Sequence, residues 1–392
     1  MNEPLKFGIE EEYFLTDLDS RQVPGEVPRE VSNQCAAALG HAFAYEMFQS
    51  QIEVASPVFT SLPQAAEYLV NARGTLQQVL QPFALGLLSA GSHPLGDWRA
   101  QHPTDQAHYR QLFDDYQYVA RRSLLSGLHV HVEVPADLDR IRVMNEVLPW
   151  TPLLLALSCS SPFWQGDDSG FASYRQTACD EWPRMGVPEY LEDQRAYDDY
   201  VSFLIANGAM KKASGCWWAV RPSSSYPTLE LRMTDACPRL KDALSLASLF
   251  RVLVAYAIAQ PRAGADYSVT SRWTLMENRW RAKRSGTNAM FLVEGFDRAL
   301  TLEQWLSRAE QVLGATARSL GVEDVFDELR HIIREGSSAG RQRVVYQTSI
   351  SSGRQPHEAL LQVVDHLLIE TASSSRRDMP QALGSSTVKI VP

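Results

Sequence analysis

Phe7-Gly8-Ile9-Glu10-Glu11-Glu12-Tyr13-Phe14-Leu15 sets three acids into an otherwise apolar run of strand character. Side chains alternate along a strand, so Gly8, Glu10 and Glu12 share one face while Phe7, Ile9, Glu11, Tyr13 and Leu15 share the other. Two carboxylates one pleat apart repel when ionised, and a cation between them relieves that repulsion. A solvated edge strand explains one such segment equally well. The choice turns on whether the pattern returns elsewhere.

It does. Leu128-His129-Val130-His131-Val132-Glu133-Val134-Pro135 places His129, His131 and Glu133 opposite its apolar residues. Tyr226 to Asp235 alternates again, with Leu229, Leu231 and Met233 against Glu230, Arg232 and Thr234. Tyr45 to Pro57, carrying Glu46 and Glu53, is strand-like at its ends, and Trp217 to Pro222 forms a short strand. Helical spacing covers Arg29 to Leu39, Leu62 to Leu88, His108 to Leu124, Leu138 to Ser158, Tyr197 to Ile205, Leu240 to Ala259 and Thr274 to Lys283. An antiparallel sheet with helices on one face produces such strands, so the fold class is α+β. No internal repeat or linker divides residues 1–372, which read as one domain, and the Ser/Arg/Pro-rich stretch 373–392 reads as a loosely ordered tail.

Composition narrows the function. A net charge of -9 and a pI near 5.5 argue against a nucleic-acid-binding surface. The start of the chain carries no apolar leader and no run approaches a bilayer span, so the expected setting is cytoplasmic, without membrane contact. Five scattered cysteines without a CxxC pair indicate buried thiols. Neither a Walker loop nor a dinucleotide glycine fingerprint is present.

If the polar strand faces belong to one sheet, Glu10, Glu12, Glu53, His129, His131, Glu230 and Arg232 meet on one concave surface. Oxygen donors with an imidazole suit magnesium or manganese better than zinc. Carboxylates that hold such ions, beside arginines that neutralise a phosphoryl group, suit a nucleotide triphosphate. For His129 the surrounding acids favour a ligand role over a satisfied strand histidine, whereas His131 stays evenly balanced. Trp217 and Trp218 read as packing residues rather than a base platform. The residues alone therefore lead to metal-dependent phosphoryl chemistry.

Taken together, GIEEEYFL, YEMFQSQIEVASP, GSHP, SGLHVHVEVP, WWAVRPS, YPTLELRMTDACP and ENRWRAKRSG resemble the type 2 glutamate-cysteine ligase family of carboxylate-amine ligases, in order and spacing, over roughly residues 5 to 350. The resemblance implies a glutamine-synthetase-like fold whose curved antiparallel sheet holds ATP and Mg2+, or Mn2+, in a bowl. It implies a small-molecule acid, glutamate-like, activated as an acyl phosphate and joined to an amine, cysteine-like or another. A homo-oligomer is plausible on the same likeness. Carried over by position, the metal ligands are Glu10, Glu12, Glu46, Glu53, Glu230 and His129. Arg175, Arg221, Arg232 and Arg341 bind substrate or phosphate, and Arg232, Glu53 and Arg281 act in catalysis. Gln49, Leu128, Glu133 and Ala219 depart from the family pattern, Ala219 standing where an Asp is usual, which bears on the choice of acid and amine. A metal-dependent hydrolase and a non-catalytic binding protein are the competing classes. The second would be expected to have lost one of the carboxylates Glu10, Glu12, Glu53 and Glu230, all of which are present.

Overall fold

The computed structural model describes residues 5–259 and 269–373. The 374–392 part of the expected tail lies outside them. The acidic strand Phe7–Asp17 (β1) sits at the centre of a sheet with Phe43–Tyr45 (β2), Gln51–Ala55 (β3), Leu85–Leu88 (β4), Gly127–Glu133 (β5), Val220–Pro222 (β6) and Thr228–Asp235 (β7). The order is β2-β3-β1-β5-β7-β6, with β4 pairing the far end of β1, and every pairing is antiparallel. Register aligns the acids across strands: Glu12 faces Glu53, Glu10 faces His129, and His131 and Arg221 both face Glu230. Between β5 and β7 the register shifts at His129, an irregularity of the kind that re-aims side chains near sites.

The back of the sheet is the main core. Phe7, Ile9, Val130, Val132, Leu229 and Leu231 pack against Thr151–Ser158 (α5) and Leu240–Ala259 (α8). Tyr13, Leu15, Ile52 and Val54 pack against Arg29–Leu39 (α1) and Leu62–Leu80 (α2). Helices do not stay on that side alone. At the far end of β1, Phe14 and Leu88 point to the front and are covered by Leu360, Val363, Val364 and Leu367 of Pro356–Ala372 (α13). The front is a bowl because only part of it is left uncovered.

One expectation changes here. α8 spans 20 residues at a mean hydropathy of 1.6, long and apolar enough for a bilayer by composition. It is instead mostly buried against α2, α5 and Val325–Glu335 (α11). Glu11, assigned to the apolar face, is indeed there, where it meets a buried arginine. Its side chain is 2% exposed and takes Arg73 Nη2 at 2.6 Å and Nε at 3.1 Å, with the Tyr13 hydroxyl also donating to it. Arg73 then donates to the carbonyls of Pro238 at 2.6 Å and Cys237 at 2.9 Å. One guanidinium thus ties β1, α2 and the entry to α8 together. All five cysteines are buried and unpaired.

Candidate active site

The bowl is a cleft of about 1120 Å3 whose floor is the polar face of β1, β3, β5, β6 and β7. Glu10, Glu12, Glu46, Glu53, His129, Arg175, Arg221 and Arg232 all line it. Glu230 lies beneath, 2% exposed, and closes the row.

His129 is the hinge of the acidic cluster. Its Nδ1 lies 3.2 Å from Glu10 and its Nε2 3.5 Å from Glu12, while Nε2 is buried and makes no hydrogen bond. His131 Nε2 lies 3.2 Å from Glu10 and 4.0 Å from Glu230, and its Nδ1 contacts Thr228 Oγ1 at 3.1 Å. Two groups of ligand atoms come within 4.8 Å of one another: Glu10, His129 and Glu230, and Glu12, Glu53 and His129. These donors are mostly carboxylate oxygens, with one imidazole nitrogen free to bind, and they fit a hard divalent cation.

The electrostatics divide the acids into two sets. Burial would raise the Glu230 carboxyl, but Arg232 and then Arg221 pull it down to about 2. Arg221 binds it through Nε at 2.7 Å and Nη2 at 3.1 Å, and Arg232 also pairs with it. Burial likewise opposes ionisation of Glu10, yet His129 and His131 hold it well below the carboxylate range. Glu53 goes the other way. Burial, then the charges of Glu10, Glu46 and Glu12, push it well above its ordinary value, and it shares a hydrogen bond with Glu46. Glu46 and Glu12 are also raised, chiefly by burial. Three crowded, buried acids whose carboxyls are all pushed upward mark a place where added positive charge would be stabilising.

Arg175 enters from Tyr174–Cys179 (α6), donating to the carbonyls of Thr234 at 3.0 Å and Arg232 at 3.3 Å. It passes directly over Gly127, where any Cβ would collide with its guanidinium and with His129. The Gly127 N–H donates to Glu12. Glycine at that position therefore sets the spacing between an arginine and a candidate ligand pair.

Two of the arginines carried over by resemblance are not in the cleft. Arg341 is held by Glu370 at 2.9 Å, Asp242 at 3.2 Å and the Gly336 carbonyl at 2.7 Å, and joins Ser338–Ser351 (α12) to α13 and α8. Arg281 pairs with Glu277 at 2.6 Å and donates to the Met290 carbonyl at 3.0 Å. It belongs to Val269–Ser285 (α9) and does not line the cleft. One helical turn apart, Arg279 and Lys283 face the other way and both pair with Asp180 at 2.5 Å, bracing α6 from behind. Of the departures from the family pattern, only Ala219 lines the cleft. Leu128 is core, Gln49 donates to the Pro103 carbonyl at 3.2 Å, and Glu133 faces Lys6. Sequence reading also missed Tyr109, Tyr116, Gln176 and Trp182 of the cleft wall, which come from helices and loops with no period-two signal.

The family model described as Glutamate-cysteine ligase family 2 matches residues 6–366. A Pseudomonas fluorescens protein named "Putative glutamate--cysteine ligase 2" is 55% identical over 373 residues, covering 95% of this chain and 96% of its own. Another of that name from Ectopseudomonas mendocina is 48% identical over 368 residues, 93% of this chain and 96% of its own. Among solved structures, a glutamate--cysteine ligase from Francisella tularensis in complex with AMP superposes with a TM-score of 0.69 at 11% identity, over 97% of this chain and 90% of that one. A bifunctional glutathione synthetase from Pasteurella multocida gives 0.69 at 14% identity over 94% of this chain, which spans about half (53%) of that longer protein. At such identities these two likenesses concern the fold.

Proposed function

Because the chain belongs to glutamate-cysteine ligase family 2, we propose that it is an ATP-dependent carboxylate-amine ligase that activates a glutamate-like acid in the bowl and joins it to an amine. The observation that carries this reading is the convergence of Glu10, Glu12, Glu53, Glu230 and His129 with Arg175, Arg221 and Arg232 around one cleft. The terminal phosphoryl group of ATP passes to a carboxylate oxygen of the acid, releasing ADP. The amine nitrogen then attacks the acyl carbon, the bond to phosphate breaks, and the nitrogen gives up its proton.

Glu10, Glu12, Glu46, Glu53, Glu230 and His129 would hold Mg2+ or Mn2+, which supplies charge neutralisation and alignment for the phosphates. Arg232, fixed by Glu230, offers a planar guanidinium to a phosphoryl oxygen or to the acid's carboxylate, and Arg221, held by Glu230 and by the carbonyls of Ser214 and Cys216, adds its positive charge to the same wall. Arg175, on the carbonyls of Thr234 and Arg232, offers a third positive charge. The setting we propose is cytoplasmic: the five buried, unpaired thiols are consistent with a reducing compartment.

Hydroxylamine tests the acyl phosphate without reference to the natural acceptor. With ATP, Mg2+ and a panel of acids including glutamate, the enzyme should form a hydroxamate together with stoichiometric ADP. ADP release without hydroxamate, for every acid, would point to hydrolysis instead.

The proton inventory makes a second prediction. Glu12, Glu46 and Glu53 hold protons above the normal carboxylate range and must release them to bind a cation, so cation affinity should rise with pH. In the absence of the cation these raised groups stabilise the fold at low pH, and that contribution is lost as pH rises through their folded values. The thermal shift produced by Mg2+ should therefore be larger at pH 8 than at pH 6. An equal shift at both would mean that the acids do not exchange protons for the ion.

A further inference from the structure

The far wall of the cleft has apolar surface to which phosphoryl transfer gives no task. Trp217, Ala219 and Arg221 line the cleft, Ala219 with only 5% of its surface exposed, and the chain bends at Ala219 before β6 begins at Val220. Arg221 binds Glu230. Ala219 accepts a 2.8 Å hydrogen bond from the backbone of Arg232. The Arg221 guanidinium also folds back to donate to the carbonyls of Ser214 at 3.1 Å and Cys216 at 3.0 Å, so this segment places Trp217 next to a residue that the guanidinium holds.

There it meets a preformed aromatic corner. Tyr116 lies 5.0 Å from Trp182 and 5.5 Å from Trp217, and the two indoles are 5.4 Å apart, centroid to centroid. The polar tips of two of these rings are already engaged: Trp182 Nε1 donates to Ser123 Oγ at 2.7 Å, and Arg184 donates to the Tyr116 hydroxyl at 3.1 Å. Arg184 also lies over the Trp217 ring at 5.8 Å and is anchored on the Gly215 carbonyl at 3.2 Å. Met185 and Met210 add thioethers to the same wall. At the rim, Asp115 is paired with Lys211 at 3.2 Å. Ring faces and thioethers thus make up this corner, with Lys212 and Ser214 as polar members of the cleft lining.

We infer that this wall is the acceptor subsite and that the amine it receives carries an apolar, aromatic side chain; the inference rests on the ligase reading above. Position separates the acceptor from the nucleotide base. A purine is held away from its terminal phosphate by a ribose and two further phosphates, whereas Ala219 is hydrogen-bonded to Arg232 at the reacting end. The acceptor nitrogen must reach that end, and its substituent then meets Trp217, which directly follows the Cys216 carbonyl held by Arg221. Chemistry separates apolar from polar acceptors. Rigid aromatic walls reward an apolar group and leave a small polar one unmatched. Ala219 adds a methyl group to that wall.

The test uses the full-length enzyme with ATP, Mg2+ and an acid that gives hydroxamate with hydroxylamine. Phenethylamine should show a kcat/KM at least tenfold above that of cysteine. Trp217→Ala should lower kcat/KM for phenethylamine at least tenfold more than it lowers that for hydroxylamine, through the amine KM and not through the ATP KM, and Trp217→Phe should restore most of the difference. Cysteine equal to or better than phenethylamine would overturn the inference while hydroxamate formation still upheld the ligase reading. A loss in Trp217→Ala carried by the ATP KM would overturn it too, by assigning the wall to the nucleotide. Failure to form hydroxamate with any acid would remove the ligase reading, and this inference with it.

Discussion

Glu53→Gln is expected to lower ATP-driven turnover at least ~100-fold while leaving the protein as stable as the parent or more so. The two effects have one origin. In the unliganded cleft Glu53 is crowded by Glu10, Glu46 and Glu12 and its carboxyl is raised by burial and then by those charges, so an amide there removes a repulsion. The same replacement removes one of the three donors grouped around His129 and Glu12. Circular dichroism and thermal melting should show an intact fold whose melting temperature has not dropped, and Mg2+ should raise that temperature less than in the parent. Full activity in the variant would remove Glu53 from the metal set. Lost activity with a lowered melting temperature would mean that Glu53 matters for folding rather than for the ion.

Arg73→Met should be the most destabilising single change outside the cleft, by about 3–5 kcal/mol. Both partners of the Glu11–Arg73 pair are essentially inaccessible, at 2% and 1% exposure. Removing the guanidinium leaves a carboxylate in the core and frees the carbonyls of Pro238 and Cys237. The double variant Glu11→Gln/Arg73→Met should recover part of the loss, because no ion is then stranded. Urea denaturation of the three variants measures this directly. Additive single effects would show that the two side chains act independently.

The strands and the acids they carry were legible because an antiparallel sheet with one covered face writes a period of two into the chain. β1, β5 and β7 were read that way, and they deliver Glu10, Glu12, His129, Glu230 and Arg232 to one surface. Helix interiors were legible too, but their ends less so. The pattern from Leu62 runs to Leu88, whereas the helix stops at Leu80, just before Pro82, and the chain turns through a left-handed Ala84 into β4.

What stayed hidden depends on contacts that no local pattern encodes. Nothing near Glu11 announces that its counter-ion lies 62 positions away on another helix. The basic run on α9 offers Arg279, Arg281, Lys283 and Arg284, and only the packing of α6 decides that Arg279 and Lys283 face inward. Arg341 sits in a motif shared with the family, yet its guanidinium is occupied by Glu370 and Asp242. The aromatic corner draws on a helix, a turn and an extended segment, each apolar for reasons that read locally as core.

The Glu11–Arg73 pair bears on how β1 finds its place. In most half-buried strands a one-residue slide is prohibited because it turns apolar side chains out to water. Three consecutive acids weaken that safeguard locally, since a slide still offers a carboxylate to either side. At the acids themselves the alignments differ by arithmetic: in the native one a single acid of the three meets a single buried cation, and in the slipped one Glu10 and Glu12 would compete for it. Arg73 therefore acts as a threading guide over the stretch where the apolar pattern is interrupted, adding to what Phe7, Ile9, Tyr13 and Leu15 on either side dictate.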